Sequence, residues 1–139
     1  MDAEIIAIGS ELLTPYRQDT NSLYLTEKLN QLGIEVRFKD IVGDRRADLV
    51  AVARIALGRA DIVIFMGGLG PTEDDLTRES VAEALGVELK RNPDLVAALY
   101  KRFAERRIKM PPNNERQADI LAGAEVLPNP NGTAPGEWL

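Results

Sequence analysis

The chain has no cysteine and no histidine. Together these absences remove disulfides, thiolate or imidazole zinc sites, Ser-His-Asp triads and Cys-His dyads. Acid, base or metal chemistry must then fall mainly to Asp and Glu. Positive charge is also short: the net charge is −5 and the pI about 4.8, which leaves no basic footprint for duplex nucleic acid or an anionic membrane surface. The Lys and Arg residues between Lys101 and Lys109 read as a solvated helix face. No apolar run approaches the roughly 18 residues of a membrane span. The opening MDAEIIAIG is too short and too acidic at its front for a signal peptide, so a cytoplasmic location is expected, with which the lack of cysteine agrees.

What is present is an ordinary globular composition, 45% hydrophobic and 28% charged over 139 residues, the length of one domain. Strand-like and helix-like segments alternate from the start. Glu4 to Gly9 reads as a short apolar strand, and Asn21 to Leu32 as a helix with Leu25, Leu29 and Leu32 on one face and Gly33 as its left-handed stop. Ile34 to Val42 is a second strand, and Ala47 to Gly58 a second helix. Asp61 to Met66 is a continuous apolar strand of the kind buried on both faces. A third helix spans Leu76 to Leu85, and Val87 to Lys90 adds a short edge strand. Asn92-Pro93 caps a fourth helix lined by Leu95, Val96, Leu99, Tyr100 and Phe103, which Met110-Pro111-Pro112 breaks. A shorter helix over Asn113 to Leu121 and a strand over Ala124 to Leu127 follow. This rhythm predicts an α/β fold with a mostly parallel sheet covered by helices on both sides. The closing PNPNGTAPGEWL has barely begun a new apolar segment, and the chain is therefore expected to be a single domain, residues 1–139, cut from a longer protein.

In parallel sheets ligands gather at the carboxyl ends of the strands. That places Gly9-Ser10-Glu11, Gly43-Asp44 and Gly67 to Asp75 on one rim. The third of these loops belongs to the stretch FMGGLGPTEDDLTRES at residues 65–80. It is neither a P-loop, since Thr72-Glu73-Asp74 stands where Gly-Lys-Ser/Thr is needed, nor a dinucleotide fingerprint, since Glu73 replaces the third glycine. Glycines at 67, 68 and 70, with Thr72 as a hydroxyl donor, suit an anion-binding turn. Asp74 and Asp75 suit a divalent cation that bridges to phosphate, because magnesium takes one or two protein carboxylates and fills its shell with water and phosphate. The same residues also read as a tight turn and a helix cap, and Asp44 and Glu11 carry the same two readings. Ser10 and Asn21 flank the first loop, while Asn131-Gly132-Thr133 and Pro135-Gly136 form a second glycine-containing loop able to close over a ligand.

As a set, GSELL at 9–13, DTNS at 19–22, VGD at 42–44, GGLGPTEDDLTRE at 67–79 and NPNGTAPG at 129–136 resemble the amino-terminal domain of the CinA (competence/damage-inducible) family. That family sits within the molybdopterin-binding superfamily of MoaB, MogA and MoeA. The resemblance implies a three-layer αβα sandwich with a mixed sheet. By its match to the superfamily's functional positions, Asp75 and Asp44 are the expected catalytic carboxylates. A divalent ion, magnesium or cobalt, would be held by Asp44, Asp74 and Asp75. Expected ligand contacts are Ser10, Glu11, Asn21, the turn Gly67, Gly68, Leu69 and Gly70, then Thr72, Thr77, Asn131, Gly132, Thr133, Pro135 and Gly136. Leu69 and Asp74 stand where MogA-like relatives have threonine and arginine, which turns the expectation from molybdopterin adenylylation towards metal-dependent hydrolysis of ADP-ribose or a similar dinucleotide pyrophosphate. Adenylyl transfer and simple nucleotide or pterin binding are the alternatives. The expected partners are a nucleotide or pterin phosphate and further copies of the chain in a homo-oligomer, with no nucleic acid and no membrane. The nicotinamide-mononucleotide deamidase domain that many family members carry is absent from these residues.

Overall fold

A computed structural model describes all 139 residues, Met1–Leu139. They group into two compact units, Met1–Gly68 and Leu69–Leu139, with the division inside the glycine run.

The first unit is βαβαβ: β1 (Asp2–Ile8), α1 (Asn21–Gln31), β2 (Glu35–Val42), α2 (Arg46–Leu57) and β3 (Ile62–Met66), with a 3₁₀ turn at Ser10–Leu13. All three strands are parallel, in the order β2-β1-β3. Side chains alternate across a strand. Ala3 and Ile5 of β1 therefore share a face with Ile62 and Ile64 of β3, and Leu25 and Leu29 of α1 pack on that face. Ile6 and Ile8 point the other way, and α2 buries Leu49, Val50, Ala53 and Ala56. Right-handed crossovers through the order β2-β1-β3 place α1 and α2 on opposite faces. Removing Ile5 and Ile6 from water stabilises the unit by about 2 kcal/mol each.

The expectation that β3 would be the strand buried on both faces is corrected. Its five residues are all half-buried, whereas β1 is buried from Ala3 to Ile8. The reason is position: β1 has a partner on each edge, while β3 pairs with β1 alone in this sheet. Its register is pinned by a reciprocal contact, in which the Asp2 amide donates to Asp61 Oδ2 at 2.9 Å and the Asp61 amide donates to Asp2 Oδ1 at 3.1 Å. On the α2 side, Glu4 is fully buried and receives both arms of the Arg59 guanidinium at 2.8 Å, and that guanidinium also stacks 3.7 Å from the Phe38 ring centre.

The second unit holds α3 (Thr77–Leu85), β4 (Leu89–Arg91), α4 (Pro93–Glu105), a 3₁₀ segment at Pro112–Ala118, β5 (Asp119–Leu121), β6 (Glu125–Leu127) and β7 (Gly136–Trp138). β4 pairs antiparallel with β5, and β6 with β7. α4 starts as the sequence implies: Asn92 Oδ1 accepts from the amides of Asp94 at 2.9 Å and Leu95 at 3.2 Å, with Pro93 in the first turn. Leu95, Val96, Leu99 and Phe103 form its core with Met110 and Ala118. Tyr100 does not join them; it is 47% exposed and its hydroxyl donates to Glu115 at 2.7 Å. The helix expected over Asn113 to Leu121 is a 3₁₀ segment running straight into β5: Pro111 sets an extended entry, Pro112 opens the 3₁₀ turn, and the strand partner β4 claims residues 119–121. Gly136, expected in a loop, belongs to β7. No helix is long and apolar enough to cross a membrane.

Candidate functional site

In the first unit, the strand order reverses beside β1, and the crevice at the carboxyl ends of β1 and β3 is where an open α/β sheet takes its ligand. A cleft of about 500 Å³ lies there. Ala7, Ile8, Met66 and Gly67 line it at the strand ends, the 3₁₀ turn contributes Glu11 and Leu12, and the segment Tyr16 to Asn21 completes the lining. Gly67 is fixed by geometry: its φ is +95°, and a Cβ would fall 2.2 Å from the Ile8 carbonyl oxygen. Only a bare backbone can approach β1 so closely.

The walls are held by short local contacts. Thr14 Oγ1 donates to the Glu11 carbonyl at 2.7 Å, and Asp19 Oδ1 accepts the Ser22 amide at 3.0 Å at the start of α1. Glu11 folds over Gly9, where a Cβ would meet its carboxylate oxygens at 2.6 and 2.7 Å. Ser10 and Asp44 join the loops after β1 and β2: the Ser10 amide donates to Asp44 Oδ2 and the Asp44 amide to Ser10 Oγ, both at 3.1 Å. The structure thus brings Ser10 and Asp44 together as a reciprocal pair, and neither lines the cleft that Glu11, Asn21 and Gly67 share.

In the second unit, the loop that follows Leu69 wraps a carboxylate of its own. Asp75 Oδ2 accepts from Thr72 Oγ1 at 2.6 Å and the Thr72 amide at 3.0 Å, and the Gly70 amide also donates to the Asp75 carboxyl. A side chain at 70 would collide with that carboxyl, the nearest oxygen standing 2.4 Å from the Cβ position. Burial by itself pushes the Asp75 carboxyl up. The Thr72 and Gly70 hydrogen bonds, with the Arg78 charge, outweigh it and hold the group below the usual carboxylate range. The pairing of glycines with carboxylates in this sequence therefore has a local cause, since the turn binds an anion that the chain itself supplies. Two donors expected for a ligand, the Thr72 hydroxyl and the Gly70 amide, are committed to Asp75.

Two arginines lock this loop through its carbonyl oxygens. Arg78, only 3% exposed, donates to Leu69 at 2.8 Å and Gly70 at 3.1 Å. Arg116 donates to the Thr72 carbonyl at 2.6 Å and to Glu79 Oε1 at 2.8 Å. Asp74 and Glu73 are exposed and make no hydrogen bond or ion pair within the chain. The N-cap position of α3 is Leu76, which makes no side-chain cap, and Thr77 is buried. No group of three or more Asp or Glu side chains is placed to hold a metal ion. Among the three residues expected to hold a metal, Asp44 and Asp75 thus each have one oxygen engaged by neighbouring donors, and Asp74 has none.

The glycine loop near the end is tethered to α4. Arg102 donates to the carbonyls of Asn129 at 3.1 Å, Pro130 at 2.8 Å and Gly132. Asn129 Oδ1 accepts the amides of Asn131 and Gly132 at 3.0 Å, and its Nδ2 donates to the Ala134 carbonyl at 2.8 Å. Gly132, Thr133 and Pro135 line a cavity of about 230 Å³ with Leu95, Ala98 and Leu99. Asn131 and Gly136 do not line it, and Gly68 and Leu69 line no cavity described above. Sequence reasoning missed Tyr16, Arg17, Arg78, Arg102 and Arg116. For Arg78 the sequence held a usable signal, a cation in the first turn of a helix directly after a carbonyl-rich loop. Arg102 and Arg116 act across long separations that spacing does not reveal.

Comparison with known proteins agrees with this architecture. The family described as Probable molybdopterin binding domain matches residues 4–139. A CinA-like protein of Koribacter versatilis is 71% identical over all 139 residues, which make up 34% of that protein; the chain thus spans about a third of the length of such curated relatives. The crystal structure of the protein CinA, of unknown function, from Thermoplasma acidophilum superposes with a TM-score of 0.89 at 32% identity, covering 99% of this chain and 80% of that one. The molybdopterin biosynthesis enzyme MoaB of Thermus thermophilus gives a TM-score of 0.57 at 25% identity, covering 86% of this chain and 78% of its own.

Proposed function

The chain belongs to the Probable molybdopterin binding domain family, in its CinA-like branch, and we propose that it is a metal-dependent hydrolase of a dinucleotide pyrophosphate such as ADP-ribose. The observation that carries this reading is the cleft at the carboxyl ends of β1 and β3. Its volume of about 500 Å³ suits a nucleotide. It is floored by a glycine that no side chain can replace without a clash, and Arg17 and the first turn of α1 stand in its wall as sources of positive potential.

The acidic loop of the second unit would supply the ligands of the divalent cation. Magnesium needs only one or two protein carboxylates, and Asp74, exposed and unpaired, is the free ligand there, with Asp75 held beside it in sequence by Thr72 and Gly70. Such an ion, when bound, neutralises charge on phosphate oxygens. The chain's own contribution is positional. Arg78 and Arg116 fix the loop's carbonyls, and Asp44 fixes the loop after β1 through Ser10. In the reaction, water adds to one phosphorus, the bridging P–O bond breaks, and the leaving oxygen departs on the other phosphate. The products are AMP and ribose 5-phosphate.

The test is incubation with ADP-ribose and magnesium or cobalt, with Asp74→Asn and Asp75→Asn beside the parent. Release of both products, lowered in each variant and abolished by chelation, supports the proposal. Absence of turnover by the parent refutes it; AMP transferred to a pterin would point instead to adenylyl transfer.

A further inference from the structure

Tyr16 is 89% exposed although it lines the cleft. Arg17, next to it, is the only Lys or Arg in that lining and has no hydrogen bond or ion pair within the chain. Both features need an explanation. A tyrosine normally buries most of its ring, and in a chain of net charge −5 an arginine has many carboxylates to pair with. The segment carrying them is anchored on both sides, by Thr14 on Glu11 and by Asp19 on Ser22, so the two side chains are presented from a fixed backbone. The acids of the same cleft do not engage Arg17: Asp19 accepts the Ser22 amide and Glu11 lies over Gly9.

We propose that Tyr16 and Arg17 form a clamp that selects nucleoside diphosphate derivatives, with the guanidinium pairing to the diphosphate and the phenol ring stacking on the base. The chemistry of each group fits. Arginine offers paired N–H donors that match phosphate oxygens, and an aromatic ring takes any base by its π-face. Glu11, in the same wall, is an acceptor suited to a ribose hydroxyl. The clamp distinguishes a dinucleotide from a sugar phosphate, which offers neither base nor diphosphate. It rests on the hydrolase reading for the class of substrate.

Calorimetric titration in the presence of chelator separates the clamp from turnover. The parent is expected to bind ADP-ribose more tightly than AMP, and AMP more tightly than ribose 5-phosphate. Tyr16→Ala should weaken ADP-ribose and AMP by about tenfold and leave ribose 5-phosphate unchanged, while Tyr16→Phe keeps the parental affinities. Arg17→Gln should weaken ADP-ribose by about tenfold and remove most of the salt dependence of its binding. Parental affinity in both alanine and glutamine variants overturns the clamp, as does an equal loss for all three ligands or failure of the parent to bind ADP-ribose. Should the expected pattern appear with no AMP formed when magnesium is added, the hydrolase reading fails and the clamp stands. Should AMP form with parental KM in both variants, the clamp fails and the hydrolase reading stands.

Discussion

Gly67→Ala tests the close approach that shapes the cleft. Gly67 has a φ of +95°, and an added Cβ would lie 2.2 Å from the Ile8 carbonyl oxygen, where real contacts essentially never fall below 3.0 Å. Two costs follow. A side chain in a left-handed conformation costs about 1–2 kcal/mol, and forcing the ends of β1 and β3 apart adds about 1–3 kcal/mol of overpacking. Gly33→Ala supplies the control, since its φ is +75° with nothing within 4 Å of the Cβ position. It should carry the conformational cost alone. Urea unfolding followed by circular dichroism compares the two, and Gly67→Ala should lose about 1–3 kcal/mol more than Gly33→Ala. Equal midpoints for the two variants would refute the claim that Gly67 is there for the contact with Ile8.

Other expectations follow from the same geometry. Asp75→Asn removes a charge-assisted acceptor from Thr72 and Gly70 and should cost about 1–2 kcal/mol at neutral pH. Because the folded carboxyl titrates below its ordinary value, that stability is present above about pH 4 and is lost as pH falls through the lowered value, so parent and variant should converge in acid; a constant gap across the pH range would contradict this. Glu4→Gln removes the buried carboxylate from Arg59, whose guanidinium keeps Asp40 at 3.2 Å, and should cost about 1–2 kcal/mol by thermal or urea unfolding, with Glu4→Asp intermediate. Arg102→Met should speed amide hydrogen exchange in the loop of residues 129–136, where it holds the carbonyls of Asn129, Pro130 and Gly132, while exchange in α1 stays unchanged. Asn92→Ala removes the cap of α4 and should cost about 1 kcal/mol.

Much of the fold was legible in the sequence because short-range rules governed it. Asn92-Pro93 marked the start of α4, Gly33 and Gly86 marked helix ends and have positive φ, apolar runs gave β1 and β3, and alternation gave β2. The rules failed where pairing at a distance decides. Apolar continuity cannot tell a central strand from one paired on a single edge, so β3 was overrated and β1 underrated. Residues 119–121 are held as a strand by β4, which their own periodicity does not show. Glu11, Asn21 and Gly67 line the cleft because they sit on strand ends and loops that topology alone brings near a crevice. Asp75 stands out in the sequence by its match to a functional position of the superfamily, while its partners in the structure are the hydroxyl and amides of its own turn. Local hydrogen bonding by a carboxylate three residues after a threonine is a reading that spacing permits and that a search for ligands passes over.

Incubation of the protein with ADP-ribose in ¹⁸O-labelled water, followed by mass spectrometry of the products, decides whether it is a pyrophosphate hydrolase. AMP and ribose 5-phosphate are expected in equal amounts, with one ¹⁸O atom incorporated into the phosphate of one of them and both products dependent on added magnesium or cobalt. Intact ADP-ribose after prolonged incubation, or AMP recovered without label and joined to another acceptor, would contradict the hydrolase reading.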